Sequence, residues 1–270
     1  MAGKNEISSA IKVVREKIEA ATKRRPDNFP GIEPTLVAVS KTKPVDMIIE
    51  AYSCGIRHFG ENYANELLEK AQDSQVLENC KDIRWHYIGQ FQTKNIRKLL
   101  GLQNLHMIET LQSEKNATFL NSTWERLTKP GKLQVMVQVN TSGEDNKNGC
   151  PPENASDLVK FVLEKCPHLQ FCGLMTIGAY GYDTSKGPNP DFLRLVSCKE
   201  LVVSNLGLDS SQMGLSMGMS TDYEHAIELG STNVRVGSII FGAREPPKKN
   251  VLPVSTVENQ VVQGTFKRLQ

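Results

Sequence analysis

Thr35-Leu-Val-Ala-Val-Ser40-Lys41-Thr42-Lys43-Pro44 is the stretch that decides the fold. Its apolar run over 35–40 reads as a strand covered on both faces, the kind found in parallel sheets. A doubly wound open sheet would more often follow its first strand with a G-x-G-x-x-G turn. Here the strand runs into Ser-Lys-Thr-Lys-Pro. A helix is predicted next over 45–52, ended by Cys54-Gly55.

Outward from this unit the same alternation recurs. Further strands are predicted at 58–62, 84–89, 106–109, 132–140, 171–177, 214–219 and 234–236. Helices are predicted between them over 64–71, 94–100, 113–126, 152–166, 191–205 and 222–229, and the last strand runs into 237–242. Thr221 and Glu224 read as a capping box for the helix at 222–229. A leading amphipathic helix over 5–24 carries Ile7, Ile11, Val14 and Ile18 on one face. Eight strand–helix units imply an α/β protein, a (β/α)8 TIM barrel with an extra N-terminal helix. The barrel is expected to occupy residues 1–245 as a single domain. Residues 246–270, opening on a Pro- and Lys-rich segment, are expected to form a poorly ordered tail.

Composition narrows the function classes. The 270 residues carry a net charge of +2, and the pI of about 8.1 lacks the basic excess of a dedicated nucleic-acid binder. No apolar run approaches a membrane span, and no secretory h-region opens the chain. Six cysteines, none in a C-x-x-C pair, read as reduced thiols. The expected location is the cytoplasm, with room for a mitochondrial fraction.

A barrel's chemistry sits at the C-terminal ends of its strands. Lys41 follows the first strand directly. A stem held in apolar surroundings lowers a lysine's pKa, and the neutral amine can condense with an aldehyde. The same spacing also suits a lysine that snorkels to solvent. Gly237 and Ser238 after the last strand suit a phosphate, with Ser216, Met219 and Ser220 as further contacts, or else they pack a tight turn. That turn is free of acidic residues up to Glu245, whereas Asp222 and Glu224 open the preceding helix and would repel an anion. Arg235 is a cation inside a strand, either paired with a carboxylate or aimed at a ligand. Asn62 stands at the mouth after the second strand. Lys43 reads as an exposed loop residue. His58, His86, His106, His168 and His225 show no metal-ligand spacing, and His86 reads as a core residue. Lys94, Arg97 and Lys98 read as a solvated face, and Met213, Met217 and Met219 as packing.

Seven motifs in order resemble one family: V-A-V-S-K-T-K-P at 37–44, F-G-E-N-Y at 59–63, W-H-Y-I-G at 85–89, Q-V-N-T-S-G-E at 138–144, G-L-M-T-I-G at 173–178, L-S-M-G-M-S at 215–220 and V-R-V-G-S-I-I-F-G-A-R at 234–244. Together, over about residues 5–245, they are similar to the pyridoxal phosphate homeostasis proteins. The resemblance implies a fold-type III barrel like the N-terminal domain of alanine racemase. It implies pyridoxal 5'-phosphate (PLP) held as a Schiff base on Lys41, with Gly237, Ser238, Ser216, Met219 and Ser220 at the phosphate. Arg235 would face the pyridine nitrogen and Asn62 the ring. It further implies vitamin B6 homeostasis without robust catalysis; PLP-dependent apoenzymes are candidate partners, and a self-sufficient barrel is expected to be a monomer. Two alternatives stay open: a PLP-dependent racemase-like enzyme, and a Schiff-base aldolase acting on a phosphosugar. Related racemases add a second domain, for which this chain has no room.

Overall fold

The computed structural model describes residues 4–26, 29, 32–144 and 147–243. Eight parallel strands close into one barrel in sequence order, β1 (Thr35–Val39), β2 (His58–Glu61), β3 (Arg84–Tyr87), β4 (Leu105–Leu111), β5 (Leu133–Gln138), β6 (Leu169–Met175), β7 (Gly214–Met219) and β8 (Asn233–Val236). β1 pairs with both β2 and β8, in register Ala38 with Phe59 and Val37 with Arg235. The expected barrel is therefore present, and the apolar character of the strands follows from their burial between helices and barrel interior. The tail expected over 246–270 lies outside the described residues.

Around the barrel run α1 (Lys4–Arg24), α2 (Val45–Ser53), α3 (Ala64–Gln72), α4 (Ser74–Asn79), α5 (Thr93–Leu99), α6 (Glu114–Arg126), α7 (Ala155–Lys165), α8 (Pro190–Leu206), α9 (Tyr223–Glu228) and α10 (Ser238–Phe241). The short α4 is absent from the sequence reading. It is started by Asp73, whose side chain accepts from the N–H groups of Gln75 and Val76.

Two apolar layers result. The larger lies between helices and strands and buries Trp85, Phe59 and Phe192. The smaller, of Met107, Met136 and Met175, fills the barrel interior. Beside it the interior is polar: Glu109, His86, Ser216 and Arg235 are all at most 4% exposed. Burying such groups is tolerable only when they satisfy one another.

The leading helix is fastened to the end of the chain. α1 buries Ile7, Ile11, Val14, Ile18 and Ala21 and packs against α2, α9 and α10. Arg25, just past it, donates to the carbonyls of Ile227 (3.0 Å) and Ser231 (2.6 Å). The capping box expected for α9 does not form. Glu224 is drawn instead to Lys17 (2.9 Å) and Arg24 (3.8 Å) of α1, and Asp222 occupies the cap position. A tertiary contact has overridden a local motif.

Closure between β6 and β7 depends on one glycine. Gly173 has φ +146°, and a Cβ there would lie 2.0 Å from the carbonyl oxygen of Gly214. Gly173→Ala must therefore push β6 and β7 apart. It is expected to destabilise the protein by about 3 kcal/mol or more, measured by urea denaturation; a loss under about 1 kcal/mol would show that this seam yields.

Candidate functional site

At the C-terminal end of the barrel lies a cavity of about 330 Å3. Seven of the eight residues singled out from the sequence line it: Lys41, Asn62, Met219, Ser220, Arg235, Gly237 and Ser238. Met219 is thus a lining residue, while Met213 and Met217 are buried packing residues. The eighth, Ser216, is fully buried and does not line the cavity. Lys43, expected to be an exposed loop residue, does line it, and its Nζ donates to the carbonyl of Ala243 at 2.7 Å. Val39, Ile88, Met175 and Ile177 give the cavity apolar walls.

Lys41 sits in a tight turn. Lys43 N–H donates to the Ser40 carbonyl at 3.0 Å, and Thr42 between them has φ +63°. A β-branched residue there is strained by about 1–3 kcal/mol, so the surroundings must hold it. Thr42 N–H donates to Glu66 Oε1 at 2.5 Å. Glu66 in turn accepts from Lys70 Nζ at 2.6 Å. Lys70 also donates to the Ser40 carbonyl and to Glu61 Oε1, both at 2.7 Å, and the Ser40 hydroxyl donates to the same carboxylate at 2.7 Å. The turn that presents Lys41 therefore rests on a buried Lys70–Glu61–Glu66 cluster. Lys70 is missing from the sequence reading because a lysine on an amphipathic helix reads as solvated; its spacing of four residues from Glu66 was the available signal.

Arg235 forms the floor. Its guanidinium donates to Ser216 Oγ at 2.6 Å and to the Thr176 carbonyl at 2.8 Å. Ser216 passes its own proton to Glu109 Oε2 at 2.6 Å, and the other carboxylate oxygen accepts from His86 Nδ1 at 2.6 Å. Burial opposes ionisation of Glu109, but the His86 and Ser216 hydrogen bonds and the charge of Arg235 outweigh it and hold the carboxyl below its ordinary range. Arg235 lines the cavity, and a carboxylate balances it through one hydroxyl.

Asn62 and the glycines shape the remaining walls. Asn62 Oδ1 is buried without a hydrogen-bond partner among the described residues. A Cβ at Gly89 would lie 1.8 Å from the Asn62 carbonyl oxygen, so Gly89 is what lets β3 run past Asn62. Gly237 lies flush against β1, where a Cβ would come 3.0 Å from the Val39 carbonyl oxygen. Ser220 Oγ accepts from Gly237 N–H at 3.1 Å. Ser238 and Ile239 open α10 with N–H groups that no helical carbonyl can take. Met219 N–H is spent on Asp222 at 2.6 Å, so the donors for an anion come from the α10 side.

The comparisons with known proteins agree with this geometry. Residues 16–245 match the family described as alanine racemase, N-terminal domain. Over 252 residues the chain is 52% identical to the pyridoxal phosphate homeostasis protein of Bos taurus, covering 93% of this chain and 92% of that one. The protein of the same name from Homo sapiens is 52% identical over 243 residues, 90% of this chain and 88% of that one. The chain belongs to the pyridoxal phosphate homeostasis family. Among solved structures, PipY of Synechococcus elongatus with PLP bound is similar at a TM-score of 0.71 and 26% identity, over 87% of this chain and all of that one. The alanine racemase of Corynebacterium glutamicum, 13% identical with a TM-score of 0.63, shares the fold; the match covers 91% of this chain and 62% of that one.

The residues present fit the cofactor of this family. Its aldehyde needs an amine, its ring a planar slot with a polar edge, and its phosphate a set of N–H and O–H donors. Lys41, the orphaned Asn62 oxygen and Arg235, and the Ser220–Ser238 side of the cavity could supply those groups.

The clamp beneath Lys41 has a measurable signature. Burial pushes the Glu61 carboxyl up to about 6, against the opposing pull of Lys70 and Ser40. The folded state thus holds this proton more tightly than the unfolded chain, whose value is 4.5. The associated stabilisation is complete below about pH 4.5 and is lost as pH rises through about 6. Relative to Glu61→Gln, wild-type stability is expected to fall by about 2 kcal/mol between about pH 4.5 and about pH 7, read from urea denaturation at each pH. A difference that does not change with pH would contradict a raised carboxyl.

Proposed function

We propose that this chain binds PLP through Lys41 and serves intracellular vitamin B6 homeostasis, holding the cofactor as a Schiff base without robust turnover. The observation that carries the reading is the convergence of Lys41, Asn62, Arg235 and the Ser220–Gly237–Ser238 turn on one cavity. When bound, PLP supplies an aldehyde that an amine can hold reversibly, together with a ring that can act as an electron sink.

The chain's own residues bias that chemistry towards holding. Glu109, through Ser216, balances Arg235, and Thr176 fixes its direction. A guanidinium facing the ring nitrogen disfavours protonation there, because two like charges would meet, and an unprotonated ring is the weaker electron sink. Ile88, Met175 and Ile177 keep water from the ring face. The clamped Ser40–Lys43 turn holds the lysine stem in place, so PLP is retained at one address and kept from other amines.

The wider setting is proposed on separate grounds. Six free cysteines support a reducing compartment, the cytoplasm with room for a mitochondrial fraction. No helix of the described residues is long and apolar enough to cross a membrane. A barrel that closes on itself, in β1–β8 order, supports a monomer, and PLP-dependent apoenzymes are the partners that such a carrier would serve.

The visible spectrum tests the reading. Purified wild-type protein incubated with PLP is expected to turn yellow and to keep the colour on desalting, and Lys41→Ala to lose it while retaining the wild-type far-UV circular dichroism. A wild-type protein that PLP cannot colour would overturn the reading. Robust turnover in racemase assays with several amino acids would replace it with the catalytic alternative.

A further inference from the structure

Three histidines that show no ligand spacing in the sequence meet in space. His58 opens β2 and His106 is the second residue of β4, towards the end of the barrel opposite Lys41, while His86 lies deeper, third of the four residues of β3. Their ring centroids form a nearly equilateral triangle with sides of 5.0, 5.1 and 5.1 Å. One ring nitrogen from each falls within 4.8 Å of the others. Three residues far apart in the chain have been brought together by strand stagger, not by a local sequence motif.

The hydrogen bonds fix which nitrogens are available. His86 Nδ1 lies 2.6 Å from Glu109 Oε1, on a carboxylate that already accepts from Ser216, and a carboxylate oxygen accepts, so Nδ1 is the donor of that pair. His86 Nε2 therefore holds a lone pair, directed at His58 Nδ1 2.7 Å away. A carboxylate on the far nitrogen of an imidazole is the arrangement that orients metal-binding histidines and raises their basicity.

We propose that His58, His86 and His106 form a binding site for a divalent transition-metal ion of the zinc class. Three imidazoles with a fourth position left to water suit Zn2+, Cu2+ or Ni2+ and not the oxygen-seeking Mg2+ or Ca2+. Tetrahedral coordination at a metal–nitrogen distance of about 2.0–2.1 Å sets the ligand nitrogens about 3.3 Å apart. The His58–His86 pair must open by a few tenths of an ångström, and His106 must close in. A cavity of about 690 Å3, lined by His58, Arg84, Glu19 and Glu33 among others, opens beside His58.

Arg15, Lys23, Arg57 and Arg84 also line this pocket and oppose a cation, and Arg84 contacts His58 directly. Arg84 NH1 lies 3.3 Å from His58 Nε2, where it donates to that nitrogen's lone pair. A metal on Nδ1 moves the His58 proton to Nε2, so two donors would then face each other and two positive charges would come close. Arg84 is exposed and can turn to solvent. Replacing it should tighten metal binding.

The test uses the full-length protein and ZnCl2 alone, with MgCl2 as control. Equilibrium dialysis is expected to give one Zn2+ per chain. The thermal midpoint is expected to rise by about 5 °C or more at a hundredfold excess over Kd, with no response to Mg2+. The double variant His58→Asn/His106→Asn, shown to be folded by circular dichroism, is expected to lose at least tenfold in affinity, and Arg84→Gln to gain affinity. The six cysteines could also hold zinc, so a Co2+ titration of the wild type reads the ligands directly. A d–d spectrum without sulfur-to-metal charge-transfer bands supports the histidine site even where the double variant does not fold. Thiolate bands, an unchanged affinity in the folded double variant, or no binding at all would overturn it.

Discussion

Arg235 is a permanent cation placed inside a closed barrel, where water cannot screen it. A charge so placed costs several kcal/mol unless it is matched, and removing the match from a buried pair costs about 3–5 kcal/mol. The match is Glu109, reached through the hydroxyl of Ser216. Much of the interior follows from this requirement. Glu109 needs a second donor, which His86 supplies, and His86 needs a partner for its other nitrogen, which His58 supplies. Each hydrogen bond in the row has one allowed direction, with every proton pointing towards the carboxylate. One polar seam thereby runs from the cofactor cavity towards the closed end of the barrel, beside the methionine cluster that fills the rest of the interior.

The two ends of the barrel divide the work. At the C-terminal end a strained turn and several close-packed glycines give the chain room to approach a ligand, and their cost is carried by contacts behind them. The Lys70 cluster holds the Lys41 turn, and Gly89 and Gly237 bring backbone against backbone. At the opposite end the imidazoles gather around the far end of the seam that fixes Arg235. The same carboxylate that balances the cavity-lining Arg235 also bonds His86.

Much of this was legible in the residues. Alternating apolar runs and amphipathic stretches announced eight units, and Ser-Lys-Thr-Lys-Pro after β1 argued against an open nucleotide-binding sheet. Seven of the named cavity residues could be found because barrels place function at strand ends. What escaped detection depends on relations between elements. Ser216 has the composition of a phosphate ligand, yet its strand position turns it inwards beneath Arg235. The Thr221–Glu224 cap fails because α1, about two hundred residues earlier, claims Glu224. His58 pairs in register with Arg84, two residues before His86, and His106 precedes the partner of His86, so only the stagger between strands and the reach of the rings bring the three imidazoles together. A strand-by-strand alignment that includes this stagger is the signal that would have shown them together.

The attachment of α1 ties the beginning of the chain to its end. Lys17 meets Glu224 across 207 residues, and Arg24 meets Glu228 across 204. β1 completes its pairing only when β8 is present. During synthesis, the first helix and first strand therefore leave the ribosome long before their partners exist. The apolar face of α1 and one open edge of β1 stay uncovered until the eighth unit emerges. Such long-range closure slows folding and leaves partly made chains prone to association. The last-made segment thus supplies the partners of the first-made one.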